Sequence, residues 1–209
     1  MQGKPAYIDL FIDALRFLAK LEKQYRKSEP NFDEFRKALL QNQGDKLKRE
    51  YETLRSKVLQ PLAETYVKRA GAYGEIARAC HSVSHGFYET WNRTKFAESF
   101  PLTVTIGNVY YKEECIYNVS KSSIKRILNE GNQVATTLDV HVWLTLDDLT
   151  VIDLSIISSL IKMGKVDESA VQNPILIWRE IEPSDFCFEP LLVDNNFFRK
   201  VDSGRTVNL

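Results

Sequence analysis

The chain of 209 residues has few cysteines, no long apolar run and no net charge. Its three cysteines are scattered and odd in number, so they form no disulfide framework and favour a reducing compartment. No apolar run approaches the ~20 residues of a membrane span, and the first residues lack the basic flank and apolar core of a secretory signal. With 28 Lys/Arg against 28 Asp/Glu, the chain lacks the basic excess that holds nucleic-acid phosphates. We therefore expect a cytoplasmic protein that binds neither a membrane nor a nucleic acid.

The charges that are present are unevenly distributed. Residues 1–70 hold 15 Lys/Arg and 10 Asp/Glu, whereas the remaining residues hold 13 and 18. Solvated helix faces explain such an excess in most proteins. The alternative is that the basic N-terminal part docks on an acidic surface, either that of the C-terminal part or that of a partner protein.

Residues 1–70 have the apolar period of helices and are predicted to form an N-terminal helical region. The first stripe consists of Ile8, Phe11, Leu15 and Leu18, and the last of Leu47, Tyr51, Leu54, Val58, Leu62 and Tyr66. Between them, Asn31 is a candidate cap for a short helix over residues 32–41. Pro61 falls inside the last stripe and should kink that helix. We assign these stripes to packing rather than to chemistry.

Residues 71–209 are predicted to combine helices with an antiparallel sheet, which gives an α+β fold with the helices on one side. The predicted elements are a helix over residues 77–96, strands over 102–111 and 115–119, a helix over 122–128, strands over 138–146 and 150–154, a helix over 156–163 and a strand over 175–178. The strand over 138–146 is the clearest, because polar and aliphatic residues alternate along it.

Three residues of this part could form a cysteine-based active site. Cys80 lies near the start of a predicted helix, where unsatisfied N–H groups favour a thiolate and can hold an oxyanion. His141 shares its strand face with Trp143 and Thr145, whereas the other face is uniformly aliphatic. Asp153, on the next predicted strand, could fix the tautomer of the imidazole.

This arrangement places a requirement on the turn at residues 147–148. A two-residue loop would put Asp153 opposite Val142 and point it away from His141. A loop of three or five residues puts Asp153 opposite Trp143, on the face of His141. A catalytic triad therefore predicts an odd-length loop.

The order of these residues resembles that of the transglutaminase-like superfamily of papain-type folds. Its members commonly have His-Ala-Trp on one strand and an Asp ahead of a small or hydroxylated residue on the next; this chain has His141-Val-Trp143 and Val151-Ile-Asp153-Leu-Ser155. The segment 102–109 is similar to the family's strand between the nucleophile and the histidine. The resemblance covers roughly residues 74–156, and the arylamine acetyltransferases are a more distant match. The run Arg78-Ala79-Cys80-His81 departs from the family by lacking a glycine or aromatic residue beside the cysteine.

The resemblance implies that Cys80 is the nucleophile, His141 the general base and acid, and Asp153 the orienting carboxylate. It also implies that residues 71–209 form a papain-like core with the nucleophile at a helix N-terminus. The implied activity is that of a hydrolase or acyltransferase, of the peptidase, glutamine deamidase or transglutaminase type. Its substrate would be an amide bond of a peptide, a protein or a small molecule, and it would need no cofactor. The candidate residues of the substrate pocket are Trp143, Asn108 and His81.

Two alternatives use the same residues. His81 and His85 are four apart on the predicted helix, which suits two zinc ligands. However, no Glu lies between them as in the His-Glu-x-x-His motif and no further ligands cluster nearby, so we expect no metal. In the other alternative the fold is a catalytically inactive binding module, whose partner docks on the basic N-terminal helices. Cys115 and Cys187 have no histidine nearby in sequence and are assigned no catalytic role.

Overall fold

The computed structural model describes residues 5–22, 30–77, 79–130 and 140–202, and its helices and antiparallel strands confirm the α+β class. The helices are α1 (Tyr7–Leu21), α2 (Phe32–Asn42), α3 (Asp45–Leu54), α4 (Gln60–Ala70), α5 (Tyr73–Ile76), α6 (Cys80–Asn92), α7 (Lys121–Glu130), α8 (Ile156–Lys162) and α9 (Phe197–Asp202). The strands are β1 (Leu102–Tyr111), β2 (Glu114–Tyr117), β3 (His141–Leu146), β4 (Val151–Asp153), β5 (Leu176–Trp178) and β6 (Phe186–Val193). A π turn (Arg55–Leu59) joins α3 to α4, and a 3-10 turn (Glu168–Ala170) precedes β5. Within the described ranges, no helix has both the length and the apolarity that crossing a membrane requires.

The chain divides into two compact units. The first comprises Met1–Ala38, Val104–His141 and Glu180–Leu209, and the second comprises Leu39–Thr103 and Val142–Arg179. Each unit draws on both of the segments that the sequence prediction separated at residue 70.

In the first unit, β1 pairs antiparallel with β2 and with β6. Lys112 and Glu113 connect β1 to β2 and both have positive φ, as in the type I′ turns that match the twist of a hairpin. Helix α1 packs against β6. Tyr7 and Phe11 of the helix are buried, and so is Phe188 of the strand. Strand β6 was not predicted.

The second unit contains the antiparallel strands β3, β4 and β5. Every residue of β3 is buried, the polar ones included. The predicted alternation therefore does not separate a solvent face from a core face. The strand begins at His141, and Leu138 and Asp139 of the predicted strand lie outside the described residues. The helix predicted over residues 77–96 is shorter and spans Cys80–Asn92.

The long helix predicted over the Tyr and Leu stripe is divided by the π turn. Up to that turn, Tyr51 and Leu54 are buried as predicted. From the last residue of the turn onwards, Leu59, Ala63 and Val67 are buried, instead of the residues one position earlier. A π turn bonds i to i+5 and adds a residue to the turn, which rotates the buried face by one position.

Pro61 explains where the π turn occurs. It is the second residue after the turn and has no N–H to donate to the carbonyl of Lys57, four residues before it. The backbone N–H of Gln60 instead bonds the carbonyl of Arg55, which closes the wider turn. The predicted kink is therefore a change of helical phase.

Helices α4 and α6 pack closely at Gly86. A Cβ on Gly86 would overlap the hydroxyl oxygen of Tyr66, while the next nearest atom, Cζ of Tyr66, would lie 3.3 Å away. The Tyr66 ring also makes an edge contact with Phe87, at 5.5 Å between centroids. The absence of a side chain at Gly86 leaves the space that the Tyr66 hydroxyl occupies, on the helix that begins at Cys80.

Replacing a helical glycine with alanine ordinarily stabilises a helix by ~1 kcal/mol. At this position we expect Gly86→Ala to lower the free energy of unfolding by ~1–3 kcal/mol, because the added Cβ overlaps the Tyr66 hydroxyl and must displace the ring from its contact with Phe87. In a Tyr66→Phe background the overlapping oxygen is gone, and the same substitution should cost at least ~1 kcal/mol less. Denaturant unfolding of the four proteins measures the difference. Equal losses in both backgrounds would show that the hydroxyl does not set the helix spacing.

Candidate active site

Cys80 is the first residue of α6, which confirms its predicted place at a helix start. The preceding residue, Ala79, has non-helical backbone angles and no side-chain oxygen that could accept from the first turn. The first N–H groups of a helix have no partner within the helix and carry the positive end of its dipole. The Cys80 side chain is 6% exposed and belongs to this first turn.

Helix α6 is tied to β3 by a buried hydrogen bond. The hydroxyl of Ser84, one turn after Cys80, donates to the backbone carbonyl of Val142 at 3.1 Å. Both groups are buried, so losing this bond would leave two polar groups without a partner. Phe87 and Trp91 lie further along the same helix and are fully buried. The start of α6 is thus held against the strand that begins at His141.

The β3–β4 hairpin has the odd-length loop that the triad requires. Leu144 pairs with Ile152 and Thr145 with Val151, and the N–H of Leu146 donates to the carbonyl of Thr150 at 2.9 Å. The loop therefore consists of the three residues 147–149. The prediction of an odd-length loop is confirmed.

Asp153 lies opposite Trp143 when this register is continued by one pair. Opposite residues of an antiparallel pair share a face, so Asp153 lies on the face that carries Trp143 and Thr145. Asp153 is fully buried at the end of β4 and also pairs with Leu176 of β5.

Asp153 also caps the helix that follows it. Its Oδ1 accepts hydrogen bonds from the backbone N–H of Ser155 at 3.0 Å, from that of Ile156 at 2.9 Å and from the Ser155 hydroxyl at 3.3 Å. These bonds satisfy N–H groups at the start of α8 and fix the rotation of the carboxylate. The sequence did not predict this structural role, although an acidic residue just before a helix is a recognisable cap signal.

His141 is the first residue of β3 and the last residue of the first unit, and it is fully buried. Its imidazole stacks on the ring of Tyr117, with 4.4 Å between centroids and 23° between planes. Tyr117 lies at the end of β2, where a bulge makes Val109 pair with Tyr117 and Tyr110 with Cys115. The sequence prediction missed Tyr117, because nothing in the sequence indicates a bulge at this position.

The three candidate pocket residues lie in different environments. Trp143 is fully buried on β3, and His81, the second residue of α6, is half-buried. Asn108 belongs to the first unit, where its Oδ1 accepts from the N–H of Val119 at 2.6 Å and its Nδ2 donates to Glu189 at 3.0 Å. The side-chain amide of Asn108 thus has a structural role in joining β1 to β6 and to the segment after β2.

No metal site is built from the described part of the chain, in which no three His, Cys, Asp or Glu side chains are grouped to hold an ion. Of the other two cysteines, Cys115 is exposed on β2 and Cys187 is half-buried on β6. Each pairs across the sheet with Tyr110.

Comparison with known proteins gave no match: neither a family model, nor a curated protein, nor a solved structure matches the chain. The likeness to the transglutaminase-like superfamily therefore rests on the residues quoted above.

The capping role of Asp153 predicts a difference between two substitutions. Asp153→Ala removes the oxygen that three donors share, and we expect it to lower the free energy of unfolding by ~1–3 kcal/mol. Asp153→Asn keeps a carbonyl oxygen that can accept the same bonds, so its loss should stay below ~1 kcal/mol. Thermal or denaturant unfolding at neutral pH compares the two. If Asn destabilises as much as Ala, the bonds to α8 are not what Asp153 contributes to stability.

Proposed function

We propose that this protein is a cysteine-nucleophile hydrolase or acyltransferase that acts on an amide bond through Cys80, His141 and Asp153. The observation that carries this function is the three-residue loop of the β3–β4 hairpin. An even loop would have turned Asp153 to the other side of β4, and a triad would have been impossible. Strand alternation supports the same arrangement, because His141 and Trp143 are two residues apart on β3.

The position of Cys80 supports its role as the nucleophile. In the proposed reaction, Nε2 or Nδ1 of His141 takes the Sγ proton and gives a thiolate and an imidazolium. The N–H groups at the start of α6 favour this thiolate. The thiolate attacks the carbonyl carbon of the amide, and the same N–H groups stabilise the tetrahedral oxyanion.

In the second half of the reaction, His141 gives back the proton that it took from Cys80. When the oxyanion collapses, the C–N bond breaks and His141 returns the proton to the leaving amine, which leaves a thioester on Cys80. A water molecule then gives a proton to His141 and attacks the thioester, so that an acid is released and the thiol is restored. An amine in place of water would complete acyl transfer. We take hydrolysis as the default, because water is always available.

Asp153 and Tyr117 support the imidazolium in different ways. A carboxylate beside the imidazole fixes its tautomer and stabilises its charged form; Asp153 takes this role in the proposed triad. Tyr117 offers the face of an aromatic ring at 4.4 Å from the His141 ring. Such a contact attracts a cation by ~0.5–2 kcal/mol. Tyr117 is therefore a positioning residue in this mechanism.

A non-catalytic binding module is the second candidate function. The burial of the three side chains favours it, since His141 and Asp153 are fully buried and Cys80 is 6% exposed. A buried cysteine commonly acts as a small apolar residue. In that case the thiol would react slowly and His141 would not influence it.

The rate of Cys80 alkylation by iodoacetamide across pH 4 to 9 separates the two functions. Peptide mass spectrometry follows each cysteine, and the exposed Cys115 is an internal reference on the same chain. We expect Cys80 to react several-fold faster than Cys115 near pH 6, since an ordinary thiol has a pKa of ~8.5. His141→Ala should abolish this rate advantage of Cys80. The control His85→Ala, which removes a histidine from the helix that carries Cys80, should leave the advantage unchanged. If Cys80 reacts more slowly than Cys115 throughout, with and without His141, the enzyme is excluded and the binding module stands.

A further inference from the structure

The loop of the β3–β4 hairpin has a sequence that allows more than one length. Asp147 and Asp148 could form a two-residue type I′ turn, whose central positions need positive φ and tolerate Asp. The observed loop instead includes Leu149 with a φ of 66°. A left-handed conformation is unfavourable for a residue with a Cβ. Both lengths place residues other than glycine at positive φ, so contacts from outside the loop can decide between them.

Side chains from the end of α2 and from α3 hold Asp147. The amide Nδ2 of Asn42 donates to Oδ2 of Asp147 at 2.9 Å and to its backbone carbonyl at 3.2 Å. The hydroxyl of Tyr51 donates to Oδ1 at 2.8 Å. Burial and the bond to Asp147 raise the pKa of Tyr51 above its ordinary value of 10.0, so this hydroxyl remains a donor at neutral pH.

Arg55 holds Asp148 in a buried ion pair. Its Nη1 donates to Oδ2 of Asp148 at 2.7 Å and to the hydroxyl of Thr150 at 3.2 Å. The side chain of Asp148 is 2% exposed and that of Arg55 11% exposed. The other carboxylate oxygen of Asp148 accepts from the N–H of Thr150 at 3.0 Å, and Gln43 donates to the Asp148 carbonyl at 3.3 Å.

These bonds depend on the register. A slip of one residue moves the strand by ~3.3 Å and turns each side chain to the other face. Asp148 would then lose its place between Arg55 and Thr150. Leaving one charge of a buried pair without its partner is strongly destabilising. This penalty is larger than the strain of one left-handed residue such as Leu149.

We propose that Arg55 and Asp148 are positioning residues whose ion pair selects the three-residue loop and so the face of β4 on which Asp153 lies. The π turn contributes to this selection, because Arg55 is its first residue and the turn sets the rotation of α3 relative to α4. The register is independent of the proposed function. Only the consequence for catalysis, namely that Asp153 orients the His141 imidazole, rests on the proposed function.

Nuclear magnetic resonance tests the register in the full chain. Thr145 and Val151 form a non-hydrogen-bonded pair, whose Hα atoms are close enough for a strong cross-strand nuclear Overhauser effect. In the slipped register Leu144 is opposite Val151 and the Thr145–Val151 signal is lost. We expect the wild type to give the Thr145–Val151 signal and Arg55→Met to lose it. Arg49→Met, which removes an exposed arginine of α3, should keep it.

A second substitution distinguishes a change of register from general damage. Leu149→Gly removes the left-handed strain and favours the three-residue loop. In the Arg55→Met background it should restore the Thr145–Val151 signal, whether Arg55→Met alone slips or unfolds. The proposal is overturned if Arg55→Met folds and retains the signal, or if the double variant fails to recover it.

The alkylation rate of Cys80 separates this proposal from the proposed function. If the register responds as expected while Cys80 behaves as an ordinary thiol in the wild type, the enzyme fails and the positioning role stands. If Cys80 is activated in the wild type, Arg55→Met should remove several-fold of its rate advantage near pH 6, and Leu149→Gly should restore it.

Discussion

A one-residue change of strand register turns every side chain of the strand to the other face. In this protein the register of the β3–β4 hairpin depends on the buried ion pair between Arg55 and Asp148. Arg55 reaches from the π turn to Asp148, and the loop adopts a three-residue form with Leu149 in the left-handed region. The orientation of every side chain on β4 follows from that length. A helical region that looks like simple packing in the sequence thus sets the geometry of the candidate active site.

Asp153 links this geometry to the chemistry we propose. The register determines which face it occupies, and its three bonds to Ser155 and Ile156 fix the plane of its carboxylate. An orienting carboxylate works only if it is itself held, because a freely rotating one would not select one tautomer of the imidazole. The cap of α8 supplies this constraint, so stability and function would share one side chain.

Much of the fold could be predicted from periodicity, and the exceptions have identifiable physical causes. Residue patterns located α1, α2 and the β3–β4 hairpin, because each has a regular apolar period or a capping residue. Asn31 caps α2 as expected, accepting from the N–H of Glu34 at 3.2 Å. The phase change at the π turn was missed, because the apolar stripe continues through Pro61 without a gap. Strand β6 was missed because Pro190 interrupts its pattern.

The candidate site was less predictable than the fold. Sequence order suggested Cys80, His141 and Asp153, and strand alternation reduced the geometric question to whether one loop was odd or even. The residues around them could not be found in this way. Tyr117 stacks on the His141 ring from the end of a strand that contains a bulge, and Arg55 pairs with Asp148 across 93 positions of the chain. Such contacts depend on tertiary structure, which no local pattern encodes.

Trapping of an acyl-enzyme tests the central claim most directly. The full chain is incubated with p-nitrophenyl acetate near pH 7, and the acetylated peptides are identified by mass spectrometry before and after treatment with hydroxylamine. If Cys80 is the nucleophile, its peptide will carry an acetyl group that hydroxylamine removes, and Cys80→Ser will abolish that adduct. An acetyl group only on the exposed Cys115 or on lysines, with none on Cys80, would contradict the account.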